Sequence, residues 1–171
     1  MTESTVTPSV DGLKNVKLMS GFTDDELSEI VTLGEALSAE AHSNVMIEGD
    51  MSGGMFMLLE GQVGVTKANP MAGGIQYDLG HLQPGSVFGE LSLIDNNPRS
   101  ATVRALTDCQ LFHVSREKFE TFLTKDGSRR ERFYKACIQT MITRLRETDE
   151  KYVISQYQLW KTALTKRKEA A

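Results

Sequence analysis

The sequence predicts a mainly β fold, a sandwich or barrel, with helices at both ends. Three observations predict it. Between about residues 36 and 115, short apolar or alternating segments are separated by turn residues every eight to twelve positions. A helix-capping signal precedes that stretch. After Val114 the apolar period becomes helical, and from Arg129 onward the chain holds no proline or glycine.

The elements follow in chain order. Residues 1–12 are polar, contain Pro8 and Gly12, and read as a flexible arm. Leu13, Val16, Leu18 and Met19 form a short apolar-spaced stretch. Thr23-Asp24-Asp25-Glu26 then spells a capping box, in which the Thr hydroxyl takes an orphan amide while Glu26 reaches back. Leu27, Ile30, Val31 and Gly34 continue that helix. The expected strands are Val45–Glu48, Met55–Glu60, Gln62–Lys67, Ile75–Leu82, Ala101–Ala105 and Gln110–Val114. Between them lie Gly49-Asp50, Gly53-Gly54, Gly61, Pro70 to Gly74, Pro84-Gly85 and Asp95 to Pro98. Gly61, between two apolar strands, implies a tight hairpin with an unusual backbone dihedral. Pro70 to Gly74 reads as a flexible hairpin tip. Met46, Met51, Met55 and Met57 read as adaptable core.

Ser115 is positioned to cap a helix through Leu123, which Lys125-Asp126-Gly127-Ser128 ends. Residues 129–171 then form one long helix. Tyr134, Ile138, Met141, Leu145, Thr148, Tyr152, Ser155, Leu159 and Thr162 alternate spacings of four and three, a heptad seam weakened by its Thr and Ser members. Val153, Tyr157, Trp160 and Leu164 make a second stripe. The helix either folds back on its own domain as a lid or pairs with a second copy. Its length of some forty residues favours the homodimer.

Composition bounds the function. The 171 residues are 40% hydrophobic and 25% charged, which is globular composition. A chain this long buries roughly two-thirds of its unfolded surface and needs no disulfide or metal staple. Cys109 and Cys137 make neither a disulfide framework nor a CxxC pair, so they read as thiols in a reducing cytoplasm. No apolar run reaches membrane-spanning length, and Met1-Thr2-Glu3-Ser4-Thr5 lacks a signal pattern, so neither secretion nor a membrane is expected. The net charge of −4 divides into −10 over residues 1–128 and +6 over residues 129–171. An acidic body is a poor nucleic-acid binder.

The chemistry concentrates in Phe88-Gly89-Glu90-Leu91-Ser92-Leu93-Ile94-Asp95-Asn96-Asn97-Pro98-Arg99-Ser100-Ala101-Thr102-Val103-Arg104-Ala105. A glycine beside a carboxylate begins a one-turn helical segment, whose first amides point outward as an anion cradle. Nine residues on, Arg99 offers a planar fork suited to phosphate. Glu90 repels phosphate but accepts sugar hydroxyls. Together the three ask for a phosphorylated sugar. The competing reading of Glu90 and Arg99 is a structural ion pair closing the loop.

This stretch resembles the phosphate-binding cassette of the cyclic nucleotide-binding domain family, F-G-E-[LI]-x-L, a short loop, then [PE]-R-[ST]-A-x-V. Ile47-Glu48-Gly49-Asp50 with Met55-Phe56-Met57-Leu58-Leu59-Glu60-Gly61-Gln62-Val63 resembles the family's I-x-x-G-D and the strand after it. Pro84-Gly85-Ser86-Val87 resembles its P-G-D lead-in, with Ser86 in place of the acid. The resemblance covers roughly residues 13–155. It implies an eight-stranded jelly roll over residues 13–128 with an N-terminal helix, followed by a C-terminal lid or dimerisation helix over 129–171. It also implies a ligand site of Phe88, Gly89, Glu90, Leu91, Arg99, Ser100 and Ala101. Within it Glu90 takes the ribose 2′-hydroxyl, Arg99 pairs with the cyclic phosphate, and Ser100 supports the phosphate. In the family, Thr at that last position tends to favour cGMP, so Ser100 points to cAMP as ligand, with cGMP the alternative.

Met141 to Lys151 resembles the dimer helix of the catabolite activator protein branch. There a Thr-Ser pair reaches the adenine amine, the Ser from the opposite subunit. Here Thr148 fits and Asp149 replaces the Ser. That branch continues into a helix-turn-helix domain, but neither a recognition helix nor its turn can be drawn after Ala163, so DNA binding by that route is not expected.

Four functions compete. The favoured one is a stand-alone cyclic nucleotide sensor that signals through its C-terminal helix to an unidentified downstream protein. A cupin-type enzyme would need converging metal ligands, whereas His42, His81 and His113 are the only histidines and stand far apart. A haem or iron–sulfur sensor would need more than two scattered cysteines. A dimeric scaffold that keeps the fold and binds another nucleotide or none remains the alternative. No Ser/His/Asp set, paired catalytic carboxylates or P-loop is present, so neither enzyme activity nor a cofactor or metal is expected.

Overall fold

In the computed structural model, residues 8–69, 71 and 73–169 are described. They form two compact units, Met1–Ala136 and Cys137–Ala171. The expectations for residues 1–7 and for Pro70 and Ala72 of the hairpin tip lie outside the described residues.

The first unit opens with α1 (Val10–Lys14), a 3-10 turn (Lys17–Met19) and α2 (Asp24–Leu33). Residues 10–12, expected in the arm, are helical because the Ser9 side chain caps α1 by accepting from the Gly12 amide. At α2 both halves of the capping box are made: Glu26 N–H donates to Thr23 Oγ1 at 3.3 Å, and Thr23 N–H donates to Glu26 Oε2 at 2.9 Å. Gly34, expected to continue the helix, is instead its extended C-cap, and it packs so closely on Phe112 that a Cβ there would collide with the ring.

Eight antiparallel strands follow: β1 (Glu35–Ala39), β2 (Asn44–Met46), β3 (Met55–Glu60), β4 (Val63–Asn69), β5 (Ile75–Leu82), β6 (Val87–Phe88), β7 (Thr102–Ala105) and β8 (Cys109–Val114). They form two four-stranded sheets, β1-β8-β3-β6 and β2-β7-β4-β5, the eight-stranded jelly roll expected. The sheets' inward side chains, Met46, Leu58, Val63, Phe88, Val103, Ala105, Cys109 and Leu111, form the core between them. Gly61 has φ 88° in the β3–β4 turn, the dihedral expected of it. Met46, Met55 and Met57 are buried, but Met51 is 71% exposed because it lies in the β2–β3 connection and pairs with no strand.

A short helix α3 (Leu91–Asp95) lies between β6 and β7, and α4 (Arg116–Thr124) follows β8. The last helix, α5 (Gly127–Glu169), starts two residues earlier than expected and supplies all of the second unit's helix. Phe22, Phe119, Phe122 and Phe133 fuse the helices of the first unit through edge and stacked contacts with centroids 4.9–5.7 Å apart.

One ion-pair network ties α2 to the start of α5. Glu26, 8% exposed, accepts from Arg132 Nη1 and Nη2 at 2.9 and 2.7 Å and from Arg129 Nε at 3.2 Å. Arg129 also lies over the Phe122 ring and Arg132 over Phe22. Burial pushes the Glu26 carboxyl up, but the Arg132 hydrogen bonds, the Thr23 amide and both arginine charges outweigh it and hold it below its ordinary value. Glu29 is held down chiefly by its bond from Lys125, opposed by burial and aided by Arg129.

Carboxyls lowered by folding contribute stability that is complete above their ordinary value of 4.5 and is lost as the pH falls through the lower folded values. Glu26→Gln keeps the side-chain shape and removes the charge. It should cost about 2–3 kcal/mol in urea denaturation at neutral pH. The loss should shrink below pH 4, where the wild-type carboxyl also becomes protonated.

Candidate functional site

The site is built where α3 and the loop after it meet the β2–β3 connection. Val87 and Phe88 are buried in β6, and Phe88 stacks on Phe56 of β3 at 5.2 Å with an interplanar angle of 12°. Gly89 turns the chain out of that strand at φ 78°. Only glycine fits there, because a Cβ would collide with Arg99 Nη1. Glu90, 3% exposed, is the N-cap residue of α3, and its carbonyl accepts from Leu93 N–H at 3.0 Å. Leu91 begins the helix and is 36% exposed. Asn96, at φ 56°, ends it.

Arg99 is the centre of the arrangement. Its side chain comes in from the loop before β7 and is 4% exposed. Nη1 donates to the Gly54 carbonyl at 2.7 Å and to the Gly89 carbonyl and Ser92 Oγ at 2.9 Å each. The guanidinium carbon stands 5.7 Å from the centroid of the Phe56 ring. Nε is shut off from solvent and has no hydrogen-bond partner. Burial lowers the Arg99 pKa from an arginine's usual value and nearby Arg116 lowers it further, while Asp50 and Glu90 act against both. A guanidinium stays charged through such a shift. A buried cation whose Nη1 bonds run only to neutral oxygens, with one donor orphaned, is a group that an anion would stabilise.

The backbone of Arg99 is clamped as firmly as its side chain. Arg99 N–H donates to the Asp50 carbonyl, and Gly49 N–H donates to the Arg99 carbonyl, both at 2.9 Å. Ser100 is exposed, and Lys67 of β4 takes its carbonyl at 2.6 Å while pairing with Glu48 at 3.2 Å. The 100–101 peptide is trans, so that bond turns the Ala101 N–H to the opposite side from Lys67. Ala101 itself is buried.

The structure therefore gathers Phe88, Gly89, Glu90, Leu91, Arg99, Ser100 and Ala101 around one loop cluster of the first unit. Thr148 and Asp149 lie on α5 within the second unit, where the Thr148 hydroxyl donates to the Arg144 carbonyl at 2.8 Å. Sequence reasoning did not single out Gly54, Phe56, Ser92 or Lys67 as site residues. Only Ser92 carried a local signal, standing in the cassette itself. The others arrive from β3, its preceding loop and β4, and only pairing between distant strands brings them in. Of the histidines, His42 sits in a turn at φ 70°. His81 is exposed on β5, and His113 on β8 bonds Glu35 at 3.2 Å.

The family model described as "Cyclic nucleotide-binding domain" matches residues 36–126. A cAMP-dependent protein kinase regulatory subunit from Aspergillus niger is 29% identical over 111 residues, covering 65% of this chain and 26% of that protein. The cGMP-dependent protein kinase egl-4 from Caenorhabditis elegans is 28% identical over 120 residues, 70% of this chain and 14% of that protein. The chain thus spans about a quarter or less of the length of these relatives. A solved cyclic nucleotide-binding domain from Methylobacillus flagellatus aligns over 83% of each chain with a TM-score of 0.72 at 21% identity, which shows the shared fold.

Gly89→Ala should force the Arg99 side chain off its carbonyls as well as strain the backbone, costing about 1–3 kcal/mol of stability. A thermal unfolding midpoint equal to wild type would show that Arg99 is not held as described.

Proposed function

This chain belongs to the cyclic nucleotide-binding domain family, and on that premise we propose that it is a cyclic nucleotide sensor whose ligand is cAMP and whose C-terminal helix carries the signal to a partner protein. The observation that carries the reading is the buried Arg99 guanidinium with its unpartnered Nε. The charged exocyclic oxygens of a cyclic phosphate offer the acceptor that this planar guanidinium lacks. Glu90 takes the ribose 2′-hydroxyl, and the Ser100 hydroxyl and amide support the phosphate. Thr148 and Asp149 serve the adenine amine. Serine rather than threonine at position 100 supports cAMP over cGMP, a choice the relatives' names leave open, since one is cAMP-dependent and the other cGMP-dependent.

The chain is read as regulatory rather than catalytic, in keeping with a family whose domain is a non-catalytic regulatory fold. Ligand shifts the conformational equilibrium only by the difference in its affinity for the two states. The response therefore requires that Thr148 and Asp149 meet the base better in one state than in the other.

Homodimerisation through α5 is part of this proposal. Ile138, Leu145, Tyr152 and Leu159 recur at seven-residue spacing, and each is more than half exposed. Large apolar side chains repeated at that interval on a helix suit a second copy of the same helix.

Titration calorimetry tests the ligand. Wild type should bind cAMP more tightly than cGMP, and Arg99→Ala should lose roughly 2–5 kcal/mol of that affinity. No heat with either nucleotide would favour the scaffold reading instead. Sedimentation velocity tests the dimer. Wild type should sediment as a dimer and Leu145→Glu with Leu159→Glu as a monomer, whereas a wild-type monomer at every concentration would remove the dimer.

A further inference from the structure

Two consecutive glycines touch two different guanidiniums. The Gly54 carbonyl accepts from Arg99 Nη1 at 2.7 Å. Gly53 packs on Arg116, close enough that a methyl in place of its hydrogen would lie 3.2 Å from Arg116 Cβ and 3.5 Å from Nε. Arg116 Nε, like Arg99 Nε, is shut off from solvent without a hydrogen-bond partner. Among the described residues the Arg116 guanidinium makes no ion pair. The segment Met51-Ser52-Gly53-Gly54 supplies no acid, and the carboxylates that act on the two cations stand outside it, Asp50 and Glu90 on Arg99 and Asp95 on Arg116.

The position of Arg116 is also locally unfavourable. It is the first residue of α4, where a cation opposes the helix dipole, and the Ser115 side chain makes no compensating cap bond. On its outer side Arg116 borders a groove with Glu117 and Glu120, whose charge repels anions. On its inner side stand the Gly53–Gly54 turn and, across it, Arg99. Two like charges held on either side of one turn raise each other's energy, an effect that Asp50 and Glu90 offset at Arg99 and Asp95 at Arg116. A negative group on the Arg99 side relieves both.

We propose that Arg116 is a second cation of the anion site, acting on the cyclic phosphate across the Gly53–Gly54 turn while Arg99 makes the direct contact. The inference rests on the reading of Arg99 given above. Arg116 is then a positioning and affinity residue whose effect is electrostatic. It depends on charge more than on the planar fork, and salt screens it. Arg116 also lowers the Arg99 pKa through the same charge coupling.

The test titrates the intact chain with cAMP as wild type, Arg116→Gln and Arg116→Lys, each at low and high ionic strength. Arg116→Gln should bind about five- to tenfold more weakly at low salt, with a shallower salt dependence. Arg116→Lys should stay within about twofold of wild type because it keeps the charge. The inference is overturned if Arg116→Gln matches wild type at both salts. It is equally overturned if both variants lose affinity alike with the wild-type salt dependence, which marks a packing role. Should wild type itself bind no cyclic nucleotide, the reading of Arg99 falls first and this one with it.

Discussion

A single buried guanidinium holds the loop cluster of the candidate site together. Arg99 joins its own loop to two other pieces of chain: the Gly54 carbonyl before β3, and the segment from Gly89 to Ser92 after β6, where it meets the Gly89 carbonyl and the Ser92 hydroxyl. Removing a charge from water costs several kcal/mol, and hydrogen bonds to neutral oxygens return only part of it. The fold bears that cost at the point where one donor, Nε, is left without a partner. A side chain meant only to close a loop has cheaper solutions in a well-packed apolar contact. The buried charge with its unpartnered Nε is therefore the physical ground for reading the loop cluster as an anion site.

The rest of the first unit serves to keep that guanidinium in place. The β3–β8 and β4–β7 pairings fix the strands from which Phe56 and Lys67 approach the cassette. Lys67, itself held by Glu48, fixes the peptide after Ser100, and the Gly49–Asp50 backbone fixes the peptides on both sides of Arg99. Farther out, the four-phenylalanine cluster and the Glu26–Arg129–Arg132 network bind α2, α4 and the first turns of α5 together. These contacts are of the directional kind, charge-assisted bonds and ring packing, that leave a site little freedom to rearrange.

Much of this was legible in the sequence because its signals are local. The Thr23–Glu26 capping box, the β5 span Ile75–Leu82 and the positive dihedral of Gly61 each depend on a few neighbouring residues. What escaped depends on partners far along the chain. Glu35–Ala39, with Glu, Ala and Leu, has the composition of a helix, yet it is a strand because β8 offers it a full antiparallel register. Val87–Phe88 is too short to show a period, and pairing with Phe56 and Met57 makes it a strand. Gly54, Phe56 and Arg116 carry no motif of their own. Their relation to Arg99 exists only once the sheets have formed.

The most direct measurement of the central claim is NMR observation of arginine Nε–H resonances in the 15N-labelled protein during titration with cAMP. The Arg99 resonance, assigned by its loss in Arg99→Lys, should move downfield as its hydrogen gains a phosphate acceptor. Adenosine, which has the same base and ribose but no phosphate, should leave it in place. An Arg99 resonance that ignores saturating cAMP, or that responds equally to adenosine, would contradict the account.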